Sequence, residues 1–370
     1  MEHVDASTGT GGGALGLPAI DCVVIGVNAA ATLGSCLESI LAADYPRELL
    51  TVFYVDGGSD DQSLEIAGTF PGVRAIALSP EHPTPGLGRN GGWRAGSAPL
   101  VQFLDSDTIL DPAWLRCGVA AMAEGVAAVL GYRREMHPEL SVFNWIGSLE
   151  WNGRPGEAES FGGDVMIRRE VLAGNDGYDE ELVGGEDPEL SRRIRLAGWR
   201  IRQLDVNMTL HDLAMTSVKQ YWRRAYRSGY AFAAVVDRFG DDPTPFWRKE
   251  YRRILVRGGG FAGSVILALL LTLLVPVWPA VAVAVPTVLA IGFLLLFFPR
   301  LFRVGSFQEE KGISHEQARL YAWHCSLVVV PDILGVARFS LGKLLHRPLR
   351  NRQSRLATGR RDGDERRTAA

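Results

Sequence analysis

Between Gly258 and Pro299 the chain carries no charged residue, an uninterrupted run of 42 positions. As one helix it would rise about 63 Å, twice the roughly 30 Å hydrocarbon core of a bilayer. Pro276 and Pro279 fall near its middle, so the run reads as a hairpin of two spans, near Gly260 to Val275 and Ala280 to Phe298. Arg252, Arg253 and Arg257 precede it, and Arg300 and Arg303 follow. Positive flanks on both sides place both ends in the cytoplasm. Trp222 to Tyr251 mixes aromatics with Arg and Lys and reads as an interfacial segment. Tyr321 to Leu345 is apolar but contains His324, Asp332 and Arg338, which favours an interfacial or re-entrant helix over a third span. Six arginines lie between Arg347 and Arg361; each would add ~1 kcal/mol of attraction to an anionic leaflet.

The part before the hairpin is long enough for a domain of its own. The net charge of -3 gives no overall pull toward nucleic acid, and no fold for binding it is evident. Cys22, Cys36, Cys117 and Cys325 are scattered without a C-x-x-C pair, which fits a reduced compartment. No Lys or Arg precedes Arg47, so a secretory signal with a basic start is not expected.

Ile20–Gly26, Leu49–Val55, Val73–Leu78 and Val101–Leu104 are nearly continuous apolar runs, as buried parallel strands should be. Helical periodicity falls between the first two, from Ala30 to Leu41. Pro85-Gly-Leu-Gly-Arg-Asn-Gly-Gly-Trp93 reads as a glycine-rich loop entering a helix, a setting that suits an anion. The alternation predicts an α/β fold with a mostly parallel, Rossmann-like sheet. Pro112 to Met122 reads as helix and Ala127 to Tyr132 as strand, while Arg133 to Glu159 has poor periodicity. Around Asp187 the sequence predicts a helix with Asp187 at N-cap, Pro188 at N1 and Gly198 just past the end. A strand from Arg200 to Leu204 leads on to His211.

Asp105 and Asp107 follow the fourth strand. In extended chain they point to one side, where open α/β sheets bind ligands. Two carboxylates so close repel unless a cation lies between them or one is protonated. Oxygen ligands suit Mg or Mn, which usually bind a substrate phosphate as well. The plainer alternative is an Asp that caps the following helix. For His211 both a core position and a further metal ligand are open.

Several motifs in order carry a resemblance: Val27-Asn28 closing strand one, Val55-Asp56 with Gly58-Ser59, Gly88-Arg89-Asn90, Leu104-Asp105-Ser106-Asp107, Arg168-Arg169 before Gly177-Tyr178-Asp179, and Glu186-Asp187 before Leu190-Ser191 and Arg193. From Ile20 to Arg224 the chain resembles a family 2 glycosyltransferase of the GT-A fold. The resemblance implies that Asn28, Asp56, Arg89 and Asp105 serve the nucleotide donor, Asp56 and Arg89 on the base and Asp105 on the ribose. Asp107 would hold a divalent metal at the diphosphate, and Asp187 would be the catalytic base. Glu186, Gln220, Arg223 and Arg224 would lie on the acceptor or gating side. Gly57 stands where the family often has a second acid. Arg224 stands where processive synthases have the Trp of Q-x-x-R-W, which argues against processive synthesis.

The expected organisation is a disordered N-terminus over 1–17, a GT-A domain over 18–240, an interfacial linker over 241–257, a transmembrane hairpin over 258–299, amphipathic or interfacial helices over 300–346, and a basic disordered tail over 347–370. The expected function is a multi-pass enzyme of the inner, cytoplasmic membrane. It would pass a sugar from a nucleotide diphosphate sugar to a lipid-linked or cell-envelope glycan, in contact with membrane lipids and without nucleic acid. Transfer to polyprenyl phosphate is an alternative. So is a non-catalytic membrane scaffold, for which Gly57 is the support.

Overall fold

The structure is a computed structural model that describes residues 16–351 apart from 152, 241, 243–245 and 275–277. Of the ends expected to be disordered, 1–17 and 347–370, residues 1–15 and 352–370 lie outside the described residues, as does Pro276 at the expected hairpin turn. The first half runs β1 (Ile20–Gly26), α1 (Leu33–Leu41), β2 (Leu50–Asp56), α2 (Ser63–Gly68), β3 (Val73–Ala77), α3 (Pro85–Ala95) and β4 (Leu100–Asp105). Then come β5 (Thr108–Leu110), α4 (Trp114–Ala121), β6 (Val126–Glu135), α5 (Val142–Glu150), β7 (Gly156–Glu157), β8 (Val165–Arg168), α6 (Arg169–Gly174), α7 (Glu186–Leu196) and β9 (Arg200–His211).

All nine strands form one sheet in the order β3-β2-β1-β4-β8-β6-β9-β5, with β7 on β9. The parallel half expected from the apolar runs is present: β1 pairs parallel with β2 and β4, and β2 with β3. Beyond β4 the sheet becomes mixed, because β8 runs antiparallel to both β4 and β6. Strand alternation divides the core. Cys22 and Val24 pack with Leu33, Leu37, Ile40 and Trp114 on one face. Val23, Phe53 and Phe103 pack with Trp93, Tyr178 and Leu190 on the other.

The glycine-rich stretch is not a loop. Pro85–Ala95 is helical throughout, capped by the Thr84 side chain, which accepts from Leu87 N. Its glycines serve helix-on-sheet contact: a Cβ on Gly92 would overlap Val23 of β1. Tertiary packing here outweighs glycine's poor helix propensity. A second difference lies at α7. The N-cap is Gly185, left-handed at φ 88, and no side chain caps the helix; Asp187 is in the first turn. Gly198 follows the helix with φ 88, as expected. The stretch after Arg133 is more regular than its pattern implied: β6 runs to Glu135, and Ser141 caps α5 by accepting from Asn144 N. The strand from Arg200 runs past Leu204 to His211, which pairs with Thr108.

The C-terminal part comprises α8 (Val218–Arg238), α9 (Arg248–Arg253), α10 (Gly260–Leu274), α11 (Ala284–Phe302), α12 (Val304–Lys311), α13 (His315–Leu327) and α14 (Val329–Leu344). Three helical stretches are long and apolar enough to cross a membrane: Arg248–Leu274, Val281–Phe302 and His315–Leu344. The first two match the expected hairpin. The first also begins inside the expected linker, because α9 continues through a π-helical stretch, Ile254–Gly259, into α10. The third covers the segment expected to be interfacial. It also packs closely on α8: a Cβ on Gly229 would overlap the Asp332 backbone, and one on Gly335 the Tyr226 backbone.

Arg257, expected to act as a positive flank, is turned inward. It donates to the carbonyls of Leu295 (3.3 Å), Leu296 (3.0 Å) and Cys325 (2.7 Å). Pro299, inside α11, has no N–H for Leu295 four residues earlier. The guanidinium supplies the missing donor. Residues 347–351 of the expected tail lie against the catalytic domain and are held there by hydrogen bonds described below.

Candidate active site

The acids of the D-x-D stretch take different partners. Asp105, at the end of β4, is joined to Arg89 of α3 (3.0 Å) and to Arg133 of β6 (3.1 Å). Burial acts to raise its pKa, but Arg89 and Arg133 hold it below the ordinary carboxylate value. Asp107, one turn further on, is partly exposed, with Oδ1 3.3 Å from His211 Nε2. That oxygen is buried and accepts no hydrogen bond, and His211 Nδ1 has no partner either. Ligand atoms of Asp105, Asp107 and His211 lie within 4.8 Å of one another. An orphaned carboxylate oxygen beside an imidazole fits a divalent cation, because a buried polar atom without a partner is costly otherwise. The position expected of Asp107, and the metal option left open for His211, thus meet in one place.

Arg89 does more than its sequence setting suggested. It is buried, and the described base-side loops do not hold it. Its guanidinium bonds Glu186 (2.8 Å) and Asp105, lies 3.7 Å from Asp187, and sits over the Tyr178 ring. Gly163 makes room for this hub: a Cβ there would come within 2.6 Å of the guanidinium and 2.5 Å of Asp105. Asp187 Oδ1 is buried without a hydrogen-bond partner. Burial pushes its pKa well above the ordinary carboxylate value; Arg89 opposes this, while Glu186 and Asp105 add to it. The sequence position at a helix start suggested stabilisation of the ionised form. Burial beside two other carboxylates prevails instead.

Three partners of this centre were not evident as site residues: Arg133, Asp164 and Thr209. Asp164 accepts from Asp105 N (3.1 Å) and from Thr209 Oγ1 (2.7 Å), and lies 3.4 Å from Arg133. The signal available was the buried acid after Gly162-Gly163, directly before an apolar strand. Arg133 carried none, since its role depends on β6 arriving beside β4 through β8.

Asp56 and Asn28, expected at the donor, have partners within the protein. Asp56 is buried, and its carboxylate accepts from Tyr54 Oη, Gly58 N, Ser59 N and Ser59 Oγ. A base contact would have to exchange one of these bonds. Asn28, at φ 56, is exposed and accepts from Asp60 N, tying the end of β1 to the loop after β2. Gly57 lines the cleft; a Cβ there would meet the Val27 side chain at 2.6 Å, so a second acid at this position would require Val27 to move. Gln220 forms the capping box of α8 with Ser217, its Oε1 accepting from Ser217 N.

Two cavities meet at this centre. One, of about 800 Å³, is lined by Val27, Gly57, Asp105, Asp107, His211 and Arg89 among others. The other, of about 630 Å³, is lined by Gln220, Arg223 and Trp247. Glu186, Asp187, Arg224 and Arg227 line both. A parallel nucleotide-binding half-sheet with acids at its carboxyl edge, continued by a mixed half, defines the GT-A class.

Comparison with known proteins agrees. The model described as "Glycosyl transferase family 2" matches residues 21–169, and "Glycosyl transferase family group 2" matches residues 100–297. The second match spans more than half of the chain, which belongs to that family. Glycosyltransferase AglE of Haloferax volcanii is 24% identical over 196 residues, covering 50% of this chain and 64% of the relative. The pre-mycofactocin glycosyltransferase of Mycobacterium tuberculosis is 24% identical over 239 residues, covering 60% and 48%. The chain therefore spans about half to just under two thirds of these relatives. The mannosyltransferase PcManGT of Pyrobaculum calidifontis, solved with GDP-Man and Mn2+, shares the fold with a TM-score of 0.57 at 15% identity, over 87% of this chain and 88% of that one.

Proposed function

We propose that the protein is a membrane-anchored, inverting glycosyltransferase that moves a sugar from a nucleotide diphosphate sugar to a lipid-linked or cell-envelope glycan. The observation that carries this reading is the meeting of two cavities at Asp187, with Asp107 and His211 on the donor side. The family and the named relatives support the reaction class.

A divalent cation, Mg or Mn, held by Asp107 and His211 would offset charge on the leaving diphosphate. Asp105, already committed to Arg89 and Arg133, is the weaker ligand of the three and faces the ribose. Asp187 takes the proton of the acceptor hydroxyl as its oxygen attacks the anomeric carbon. The bond to the diphosphate breaks on the opposite face, and the configuration inverts. Arg224 and Arg227 border the donor cavity beside Asp187 and face the charge released on the diphosphate.

The test is turnover of a panel of nucleotide sugars by membrane extract, with and without chelator. Asp107→Asn is expected to keep the fold and lose activity, because an amide cannot match the cation's charge, and Asp105→Asn to lose less. Full activity in excess chelator would remove the metal from the reading. Absence of any donor turnover would favour a scaffold, against which Asp107 and Asp187 both stand.

A second reading, transfer to a lipid phosphate such as polyprenyl phosphate, is favoured by Arg223 and Arg224. Both line the acceptor-side cavity, and neither has an ion pair among the described residues. An acceptor that is already anionic needs no base, so the response to Asp187→Asn separates the two.

For localisation we place the catalytic domain and both termini in the cytoplasm, on the inner membrane. Reporter fusions at the two ends check this. A C-terminus on the far side would mean that His315–Leu344 crosses as a third span.

A further inference from the structure

After α14 the chain does not leave the molecule. Arg338 donates to Arg347 O (2.9 Å), and Leu349 N donates to Tyr230 Oη (3.0 Å). Leu349 itself packs beside Leu182, Val183, Tyr230 and Phe339. Two residues later Asn351 meets the loop that precedes α3. Its Nδ2 donates to Pro83 O (2.7 Å), and its own carbonyl lies 2.9 Å from His82 Nδ1. Arg350 reaches the other ring nitrogen of His82 at 3.1 Å. His82 is thus gripped from both sides by consecutive residues of the C-terminal segment. Asn351 also lines the donor cavity, together with Val27, Gly57, Pro83 and Arg89.

We propose that this segment completes the nucleoside end of the donor site and that Asn351 is a specificity-determining residue for the nucleotide base. The inference rests on the donor reading given above. With the diphosphate at Asp107 and His211, the nucleoside must occupy the remaining part of the same cavity. Val27, Gly57 and Pro83 gather there: a Cβ on Gly57 would lie 2.6 Å from Val27 and 3.7 Å from Pro83. These three offer apolar surface and backbone, but little to read a base edge. Asp56, the acid expected to do so, has its oxygens occupied by its own turn. The amide nitrogen of Asn351 gives one proton to Pro83 O, which orients the side chain, and Oδ1 is the acceptor that this lining residue can offer. An acceptor there suits a ring or exocyclic N–H of a base. The partner class is therefore a nucleoside diphosphate, held through its base by a residue far along the chain from Asp107 and His211, which would hold its phosphates.

The experiment uses the full-length protein in detergent with Mn2+, titrated with UDP, GDP and ADP and, separately, with inorganic pyrophosphate. Asn351→Ala is expected to weaken the preferred nucleoside diphosphate about three- to tenfold, the worth of one hydrogen bond. A chain ended after Leu349 should lose more, and His82→Ala should behave like Asn351→Ala by releasing the segment. Pyrophosphate should bind all four proteins equally, which a general loss of structure would not allow. If wild type binds a nucleoside diphosphate and both Asn351→Ala and the shortened chain bind it equally well, the inference fails while the donor reading stands. If wild type binds none of the three, the donor reading fails and takes this inference with it.

Discussion

Replacing Asp187 by asparagine is expected to lower turnover on the order of 10²-fold or more, with donor binding unchanged. A sugar hydroxyl is a poor nucleophile near neutral pH, and Asp187 is the carboxylate that both cavities share with its oxygen unclaimed by any hydrogen bond. The sequence left open that Asp187 merely caps α7. That alternative is gone, because Gly185 holds the cap position and Asp187 lies in the first turn. Stability gives an independent check. The folded-state pKa of Asp187 lies above its unfolded value, so the fold favours the protonated acid. Its contribution is fully present below the ordinary carboxylate pKa and is lost as pH rises through the folded value. Asparagine resembles the protonated form, so the variant should melt no lower than wild type at neutral pH. Catalysis needs the ionised form, so wild-type activity should fall as pH drops through that raised value. The acidic limb should lie above the ordinary carboxylate range. Near-normal turnover by the variant would point to an anionic acceptor, or to Glu186 as the base.

Arg89→Met should cost more in stability than any other single change at the site. One guanidinium serves Asp105 and Glu186 directly and Asp187 at 3.7 Å, while stacking over Tyr178. Removing it leaves three clustered carboxylates without their main counter-charge, one of them, Glu186, buried against it. Breaking a buried pair from one side typically costs about 3–5 kcal/mol. In a domain of this size that is a fall of roughly 10 °C in the melting midpoint. Arg89→Lys should not rescue it, since an ammonium cannot make the forked contacts or the flat stacking. If Arg89 served only the nucleotide base, the variant would raise donor KM and leave the melting midpoint alone.

Strands β1, β2 and β4 were readable because they are buried on both faces and show as nearly unbroken apolar runs, whereas β3, at the sheet edge, is partly exposed. The acids were readable because the edge of such a sheet is where ligands bind. What could not be read depended on partners far away in sequence. Gly86, Gly88, Gly91 and Gly92 signal a loop by composition, and only distant neighbours explain them in a helix: Tyr178 and Asp179 for Gly86, β1 and β2 for the others. Asp56 has the sequence setting of a ligand contact, and its bonds to Ser59 three residues on could not be read from it. Arg133 has no local pattern, and its place beside Asp105 exists only once β8 turns the sheet antiparallel. Gln220 fits a gating motif as a string of letters, and its capping box with Ser217 was not read from it.

Arg257 bears on how far the apolar C-terminal helices can be treated as a removable cassette. One side chain terminates carbonyls on two later helices, including the one that Pro299 leaves without its donor. In lipid, such a carbonyl has no water to turn to. A chimera that borrowed the hairpin and stopped at Phe302 would carry the arginine without its Cys325 partner, and one that began after Gly258 would leave Leu295 open. The smallest transplantable block therefore runs from the π-helical stretch to at least Cys325, and helices α10 to α13 should be inherited, lost and engineered as one unit.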